Sequence, residues 1–473
     1  MNPHQPPLCV DLDGTLIKSD VLVESLLILL KRNPFFLLMV PLWLLHGKGY
    51  LKHQVSLRVQ LDVARLPYNE LFLEYLSQQQ AAGRQIFLAT ACHEEQAGQI
   101  ARHLGIFDGV LATSKDVNLA GEEKGRQLRT RFGDKGFDYA GNAVADLAVW
   151  RYARQGILID PSRRLIGRAQ SLTEIHRIFE GGKSTPLSLI RAMRIHQWLK
   201  NLLVFVPLVA AHRVDELPLL FQAGGAFLAF CLCASSVYLL NDLLDLNADR
   251  LHSSKRFRPL AAGDLLLQYG MLSAGVLLLA AFVLASWISI PFTIALAIYY
   301  LLTFAYSVRL KAVVMLDVMV LAGLYTIRVI AGAAAVSIPP SFWLLAFSMF
   351  LFLSLAMVKR HTELKSMQRS GLAGNERGYQ LDDLNLVISL GGSTGYLSVL
   401  VLALYINSEA GSALYRHPQA IWLLCPLLLY WLSYVWLRTF RGEMHDDPLV
   451  FAVSDPVSLL LAAIGAVIFW MAI

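Results

Sequence analysis

Two hydrophobic patterns divide the chain. Up to about residue 182, short apolar runs alternate with charged stretches; beyond it, long apolar segments are broken only by short basic loops. A segment of about 20 apolar residues is what a helix needs to cross a hydrocarbon core. The long segments predict nine transmembrane helices, near 201–212, 219–240, 267–287, 290–306, 313–336, 341–358, 386–406, 420–437 and 455–473, the first of them short. With that pattern the basic residues fall on one side: Arg250, Lys255, Arg256, Arg258, Arg309, Lys311, Lys359, Arg360, Lys365, Arg369, Arg377, Arg438 and Arg441, against Arg213 and Arg416 on the other. Cytosolic loops carry that excess. The expected organisation is a cytosolic domain, 1–182, followed by a helical membrane domain, 183–473, in the cell (inner) membrane.

Composition agrees: 56% of the 473 residues are hydrophobic and 16% charged, outside the range of soluble domains. The net charge of +6 is loop charge facing anionic lipid or anionic substrate, and no nucleic-acid partner is expected. The five cysteines, Cys9, Cys92, Cys231, Cys233 and Cys425, have neither disulfide nor zinc spacing. The opening "MNPHQPPLCVDLDGT" lacks the charged and apolar regions of a signal peptide.

The chemistry of the first domain begins at "LCVDLDGTL", an apolar strand that delivers Asp11 and Asp13 into a tight turn. One carboxylate placed so can act as nucleophile and the other as general acid, and both can help hold magnesium. Next come "GRQIFLATA", a strand ending at Thr90; "GEEKGRQL", with Lys124 at a helix start; and "FDYAGNAVADLAVW", a strand followed by Asn142 and Asp146. In this order the pieces resemble the haloacid dehalogenase (HAD) superfamily, a doubly wound α/β fold. That resemblance implies a phosphatase with Asp11 as nucleophile, Asp13 as acid/base, Thr90 and Lys124 on the phosphoryl group, and Asp146 helping Asp11 and Asp13 with magnesium. Asn142 stands where the family usually has Asp. A helical cap is expected at about 20–80. Within it the run Phe35–Leu45 is about half a span long, contains Pro41 and is flanked by Lys31, Arg32, Lys48 and Lys52. Basic flanks around an aromatic apolar run predict a helix lying in the membrane interface.

In the second domain, "NDLLDLNADRLHSSKRFRPL" follows a membrane segment. Asp242, Asp245 and Asp249, at offsets of three and four, share one face if helical. With Asn241 they form a hard, oxygen-rich site suited to magnesium and a diphosphate, beside Lys255, Arg256 and Arg258 for phosphate oxygens. A second cluster, Tyr306, Arg309, Lys311 and Asp317, lies at the next cytosolic turn, and Arg328 stands inside an apolar run. "NDLLDLNADR" resembles the Asn-Asp-x-x-Asp-x-x-x-Asp signature of the UbiA family of intramembrane prenyltransferases. Ordinary members carry a second aspartate-rich motif; here Tyr306, Lys311 and Asp317 replace it. Together with "QWLKN" (Lys200, Asn201) and "KRHTEL" (Lys359, Arg360), this is similar to the polyprenyl-phosphate phosphoribosyltransferase branch. The resemblance implies phosphoribosyl pyrophosphate as donor, a polyprenyl phosphate as acceptor, Mg2+ as cofactor, and catalytic roles for the three aspartates and Lys311. A phosphatase on the same chain can then remove the terminal phosphate of the product. The alternative is an aromatic prenyltransferase of the quinone or haem O type with an independent phosphatase domain. Self-association of the chain is a further expected partnership.

Overall fold

The computed structural model describes residues 5–115, 117–180, 186–252, 254–370, 377–409, 415–444 and 447–472. It divides into two units, Met1–Met193 with Tyr238–Ala274, and Arg194–Val237 with Gly275–Ile473.

The first unit is built on six strands: β1 (Leu8–Val10), β2 (Ile86–His93), β3 (Gly109–Thr113), β4 (Asp138–Gly141), β5 (Gln155–Ile159) and β6 (Glu174–Phe179). They form one sheet in the order β3-β2-β1-β4-β5-β6, with every pair parallel. Alternation along β1 sends Leu8 and Val10 into a core with Leu88 and Ile157, and Cys9 into a second core with Phe87 and Tyr139. The strand order reverses beside β1, and such a switch point opens a crevice at the carboxyl ends of the strands. Register aligns Val10 with Leu88 and Ala140, so the residues after these three positions meet at one rim. The doubly wound sheet expected from the motifs is thus present. Strand β2 runs on to His93 instead of ending at Thr90; its pairing with β3 shifts between Ala89 and His93.

Between β1 and β2, where the cap was expected, stand the helices Val21–Arg32, Phe36–Leu45, Lys48–Ser56 and Glu70–Ala81. Asp20 caps the first by accepting from Val23 N–H at 3.0 Å. Residues 238–274 contribute the end of the helix Leu217–Leu244, a short helix Leu246–Leu251 and the start of the helix Leu267–Ile288.

Among the described residues, seven helices are long and apolar enough to cross a membrane: Leu217–Leu244, Leu267–Ile288, Ile290–Val308, Leu316–Ala335, Phe342–Arg369, Leu381–Ile406 and Gln419–Arg441. An eighth crossing results if Pro448–Ser454 and Pro456–Ala472, bent by 76°, make one span. Nine spanning helices are not seen among the described residues. The expected span at 201–212 is a 3-10 stretch, Ile195–Phe205, followed by the five-residue helix Val206–Ala210. Pro207, in the first turn of that helix, has no N–H to continue an α-helical ladder from the residues before it. The chain is a multi-pass membrane protein.

Candidate functional site

At the rim of the sheet, the turn after β1 carries Asp11 and Asp13 past Gly14, whose φ of +72° lies in the left-handed region. That φ disfavours any side chain, and a Cβ on Gly14 would stand 2.0 Å from the Asn142 amide nitrogen and so would also displace the Asn142 side chain. Lys124, in the first turn of the helix Glu122–Phe132, donates to Asp11 Oδ1 at 2.7 Å and to the Tyr139 hydroxyl at 3.0 Å. Tyr139 in turn donates to Asp146 Oδ1 at 2.8 Å. Asp146 Oδ2 accepts from the backbone N–H groups of Asn142 and Ala143 at 3.0 and 2.9 Å, which fixes the turn after β4. Asp13 Oδ1 accepts from Val21 N–H at 2.8 Å, and the Thr15 hydroxyl donates to Asn142 Oδ1 at 3.3 Å. Asp11, Asp13, Lys124, Asn142 and Asp146 line a cavity of about 300 Å3.

Burial pushes the Asp11 carboxyl up to about 6, against the pull of Lys124. Burial and the neighbouring Asp20 raise Asp13 well above the carboxylate range. Lys124 loses by burial but gains more from Asp11 and Asp146, and its ammonium is held above its ordinary value. Asp11, Asp13, Asp20 and Asp146 outnumber Lys124 and Lys52, the two ammonium groups that act on them, and all the carboxylate oxygens are hard donors, which fits a divalent cation such as magnesium. Thr90, expected on the phosphoryl group, is fully buried within β2 and accepts from Cys92 N–H at 3.0 Å. Asp146 accepts from three donors, with Oδ1 turned to Tyr139 and Lys124 and Oδ2 turned to the backbone of its own turn.

The acidic motif does not form one continuous helix. Asp242 lies in the last turn of Leu217–Leu244, Asp245 is the N-cap of Leu246–Leu251, and Asp249 lies within that short helix. Backbone bonds Asp245 N–H to Asn241 O and Asp249 N–H to Asp245 O nevertheless carry the helical spacing through the break, at 2.9 and 2.8 Å. Arg258 Nη1 bridges Asp242 at 3.1 Å and Asp249 at 2.6 Å. Asp245 turns instead to Lys31, at 2.8 Å. Arg250 makes a two-pronged bond to buried Glu24, at 2.9 and 2.8 Å. Lys255 and Arg256 are exposed in the following turn, and Asn241 is half-buried. Two carboxylates that share one guanidinium are a donor set for a hard cation. Among the described residues, however, no three His, Cys, Asp or Glu side chains already converge as a metal cage.

In the second unit the expected residues enter three polar groups. Lys200 pairs with Asp447. Arg328 donates through Nε to Asn201 Oδ1 and through Nη2 to the Tyr299 hydroxyl, both at 2.9 Å, which supplies the partners that a charge inside an apolar helix requires. Asp317 is fully buried between Arg360 Nη2, at 2.5 Å, and the Tyr379 hydroxyl, at 2.7 Å. Arg360 also pairs with Glu363, and Arg377 joins Glu363 at 3.4 Å to the Tyr306 hydroxyl at 2.9 Å. Lys359 and Lys311 are half-buried and Arg309 is exposed. Sequence reasoning missed Glu24, Tyr139, Tyr299, Glu363, Tyr379 and Asp447. A carboxylate or tyrosine beside an apolar run was the available signal for several of them.

A spanning bundle that buries arginines and aspartates among its helices, and carries an acidic motif where a span ends, defines a polytopic membrane protein with an internal polar site. The sequence pattern of the UbiA prenyltransferase family matches residues 202–464, and the chain belongs to that family. It is 36% identical to the uncharacterized protein y4nM of Sinorhizobium fredii over 98% of this chain and 91% of that protein. It is also 39% identical to the decaprenyl-phosphate phosphoribosyltransferase of Mycolicibacterium smegmatis over 60% of this chain and 92% of that protein. Solved structures similar to parts of the chain include a UbiA homolog from Archaeoglobus fulgidus bound to GPP and Mg2+ (18% identity, 60% and 99% coverage, TM-score 0.46). A substrate-bound phosphoserine phosphatase is similar over the N-terminal part (15% identity, 38% and 95% coverage, TM-score 0.28).

Proposed function

We propose that the chain is a bifunctional membrane enzyme: it transfers phosphoribosyl from phosphoribosyl pyrophosphate to a polyprenyl phosphate, and its N-terminal domain then removes the terminal phosphate. The division falls near residue 182, with the N-terminal domain cytoplasmic and the protein in the inner membrane. Nine crossings follow if Ile195–Ala210 serves as a short first one, beside the bent pair at the end.

One observation carries the transferase reading: Asp317, the acid of the second cluster, is spent on Arg360 and Tyr379. Counted with its partners, the cluster sets Arg309, Lys311, Arg360 and Arg377 against Asp317 and Glu363, so its net charge is positive and suits a substrate that is itself a phosphate. The identity to decaprenyl-phosphate phosphoribosyltransferases points the same way. In the transfer, an oxygen of the lipid phosphate attacks the ribose carbon, the bond to diphosphate breaks, and diphosphate leaves. The acceptor is already anionic and needs no strong base. Asp242 and Asp249 would hold magnesium, which supplies charge stabilisation to the leaving diphosphate. Arg258, released from them, is then available to phosphate oxygens.

In the N-terminal site the Asp11 carboxylate attacks phosphorus and Asp13 protonates the departing sugar oxygen. Water then cleaves the phospho-aspartate, with Asp13 accepting its proton. Lys124 orients Asp11 and neutralises a phosphoryl oxygen, while Tyr139 and Asp146 position Lys124. Asp11 and Asp13, with Asn142, would hold the magnesium that shields the incoming phosphate.

The test is full-length protein in nanodiscs with magnesium, radiolabelled phosphoribosyl pyrophosphate and a polyprenyl phosphate, products being separated by charge. A labelled lipid with one phosphate fewer than the direct transfer product supports both steps. Prenylation of an aromatic acceptor by an isoprenyl diphosphate, with no labelled lipid, would replace this reading by the aromatic one. The mass of the same particles reads self-association.

A further inference from the structure

The helix Phe36–Leu45 has the composition of a core element and the surroundings of a surface one. Its ten residues, FLLMVPLWLL, include no polar side chain and none is buried. Phe36, Val40 and Trp43 form one stripe that leans on a small core of Leu29, Leu51, Val55 and Val59. The remaining arc is bare, with Leu37, Leu38 and Leu45 exposed by 64, 67 and 82%. At 100° per residue, the exposed positions Leu37, Leu38, Met39, Leu42, Leu44 and Leu45 sweep about 220° of the helix. A partner helix or groove covers a stripe of roughly 100°. An arc twice as wide needs a medium that wraps around the helix.

The position of the helix identifies that medium. It follows Arg32 after three linking residues, and Lys31 and Arg32 line a cavity of about 260 Å3 together with Leu243 and Leu244. Leu243 and Leu244 are the last turn of the membrane-crossing helix Leu217–Leu244, and Lys31 is paired to Asp245 just beyond it. The apolar helix thus starts beside the place where a span leaves the bilayer. At 1.5 Å per residue it is about 15 Å long, half the hydrocarbon thickness, so it enters one leaflet without crossing. Exposed Arg32 and Lys48 at its two ends meet anionic headgroups. We propose that Phe35–Leu45 inserts into the leaflet at which Leu217–Leu244 ends and is a second, non-spanning membrane anchor of the N-terminal unit. Resting on the proposed phosphatase function, it keeps that site at the surface where a lipid-linked phosphate ester is presented.

The test labels Leu38→Cys with an environment-sensitive fluorophore on the full chain in nanodiscs; the five native cysteines are buried. Ser77→Cys, exposed on the helix Glu70–Ala81, is the aqueous reference. The expected result is a blue-shifted emission at position 38, at least five-fold weaker quenching by iodide than at 77, and strong quenching by doxyl-labelled lipid. Iodide quenching equal to that at 77 overturns the proposal. So does shielding without lipid quenching, or shielding that depends on two copies per disc, since either makes the cover a protein. In activity, Leu38→Asp with Leu45→Asp should lower turnover of the lipid-linked phosphate at least ten-fold and leave a small soluble phosphate ester unaffected. If no phosphatase activity exists at all, the fluorescence result still decides the anchor.

Discussion

At the end of β1, Asp11 and Asp13 face an open cavity with one ammonium, Lys124, 2.7 Å from Asp11. At the break between Leu217–Leu244 and Leu246–Leu251, by contrast, every aspartate already touches a cation of the chain: Arg258 on Asp242 and Asp249, Lys31 on Asp245. The strand-end acids are fixed by a backbone donor and by a helix start. The helix-end acids are neutralised by long side chains, which the proposed metal and diphosphate would have to displace. On the proposed functions, the first arrangement is preorganised for one chemistry, whereas the second would have to exchange its partners, so that its occupancy would depend on ion concentration.

Breaking the strand-end site should give the largest effect. Asp11→Asn keeps the turn but removes the nucleophile, so dephosphorylation should fall by roughly 10^3-fold or more. Transfer should continue, and mass spectrometry of extracted lipid should find the product one phosphate heavier than in the wild type. Equal masses would mean that the N-terminal site does not act on this product. Breaking the helix-end site comes next: Asp242→Ala or Asp249→Ala should lower transfer by about 10^2–10^3-fold, the loss of several kcal/mol of leaving-group stabilisation. Hydrolysis of a small phosphate ester should persist in both variants, and unchanged transfer would sink the magnesium assignment.

Arg258→Ala sharpens the contrast without removing an acid. It leaves two buried carboxylates facing each other, at a cost of about 1–3 kcal/mol once the partial exposure of Arg258 is allowed for. Its thermal midpoint should drop by a few degrees, and magnesium should restore it more than it raises the wild type. A midpoint indifferent to magnesium in both proteins would show that no cation takes the place of Arg258. The smallest effect belongs to Asn142→Asp, which adds a carboxylate to the emptier site. The magnesium concentration for half-maximal phosphatase activity should shift downward by less than about ten-fold, a few hundred calories to one kcal/mol of added attraction. A rise in that concentration would contradict a metal near position 142.

The strand-end residues were legible because local chemistry marks them. A short apolar strand, two acids and a glycine leave few other folds for that turn, and Lys124 follows the glycine that opens its helix. Tyr139 carried no such mark: it alternates within β4 like any core aromatic, and only the packed sheet brings its hydroxyl between Lys124 and Asp146. The spacing of the aspartates was legible and their common cation, Arg258, lay nearby in sequence. The break at Asp245 was not, because it depends on where the short helix turns toward Lys31, 214 residues away. Glu24 and Arg250 lie 226 residues apart, beyond any periodicity. The expected first span is shorter than a full crossing for a local reason visible in the sequence, a proline after "LLVFV" in a segment already short.

The N-terminal unit draws on two separated stretches, Met1–Met193 and Tyr238–Ala274. Translation therefore imposes an order on its completion. Glu24 emerges from the ribosome 226 residues ahead of Arg250. At about 5–20 residues per second, that gap lasts roughly 11–45 s. During it the first stretch exposes a carboxylate whose buried counter-charge has not yet been made, while the helix Leu217–Leu244 is being handed to the membrane. A nascent chain arrested before residue 250 should be more readily cut by protease near Glu24 than one arrested after Ala274, and Glu24→Gln should narrow that difference.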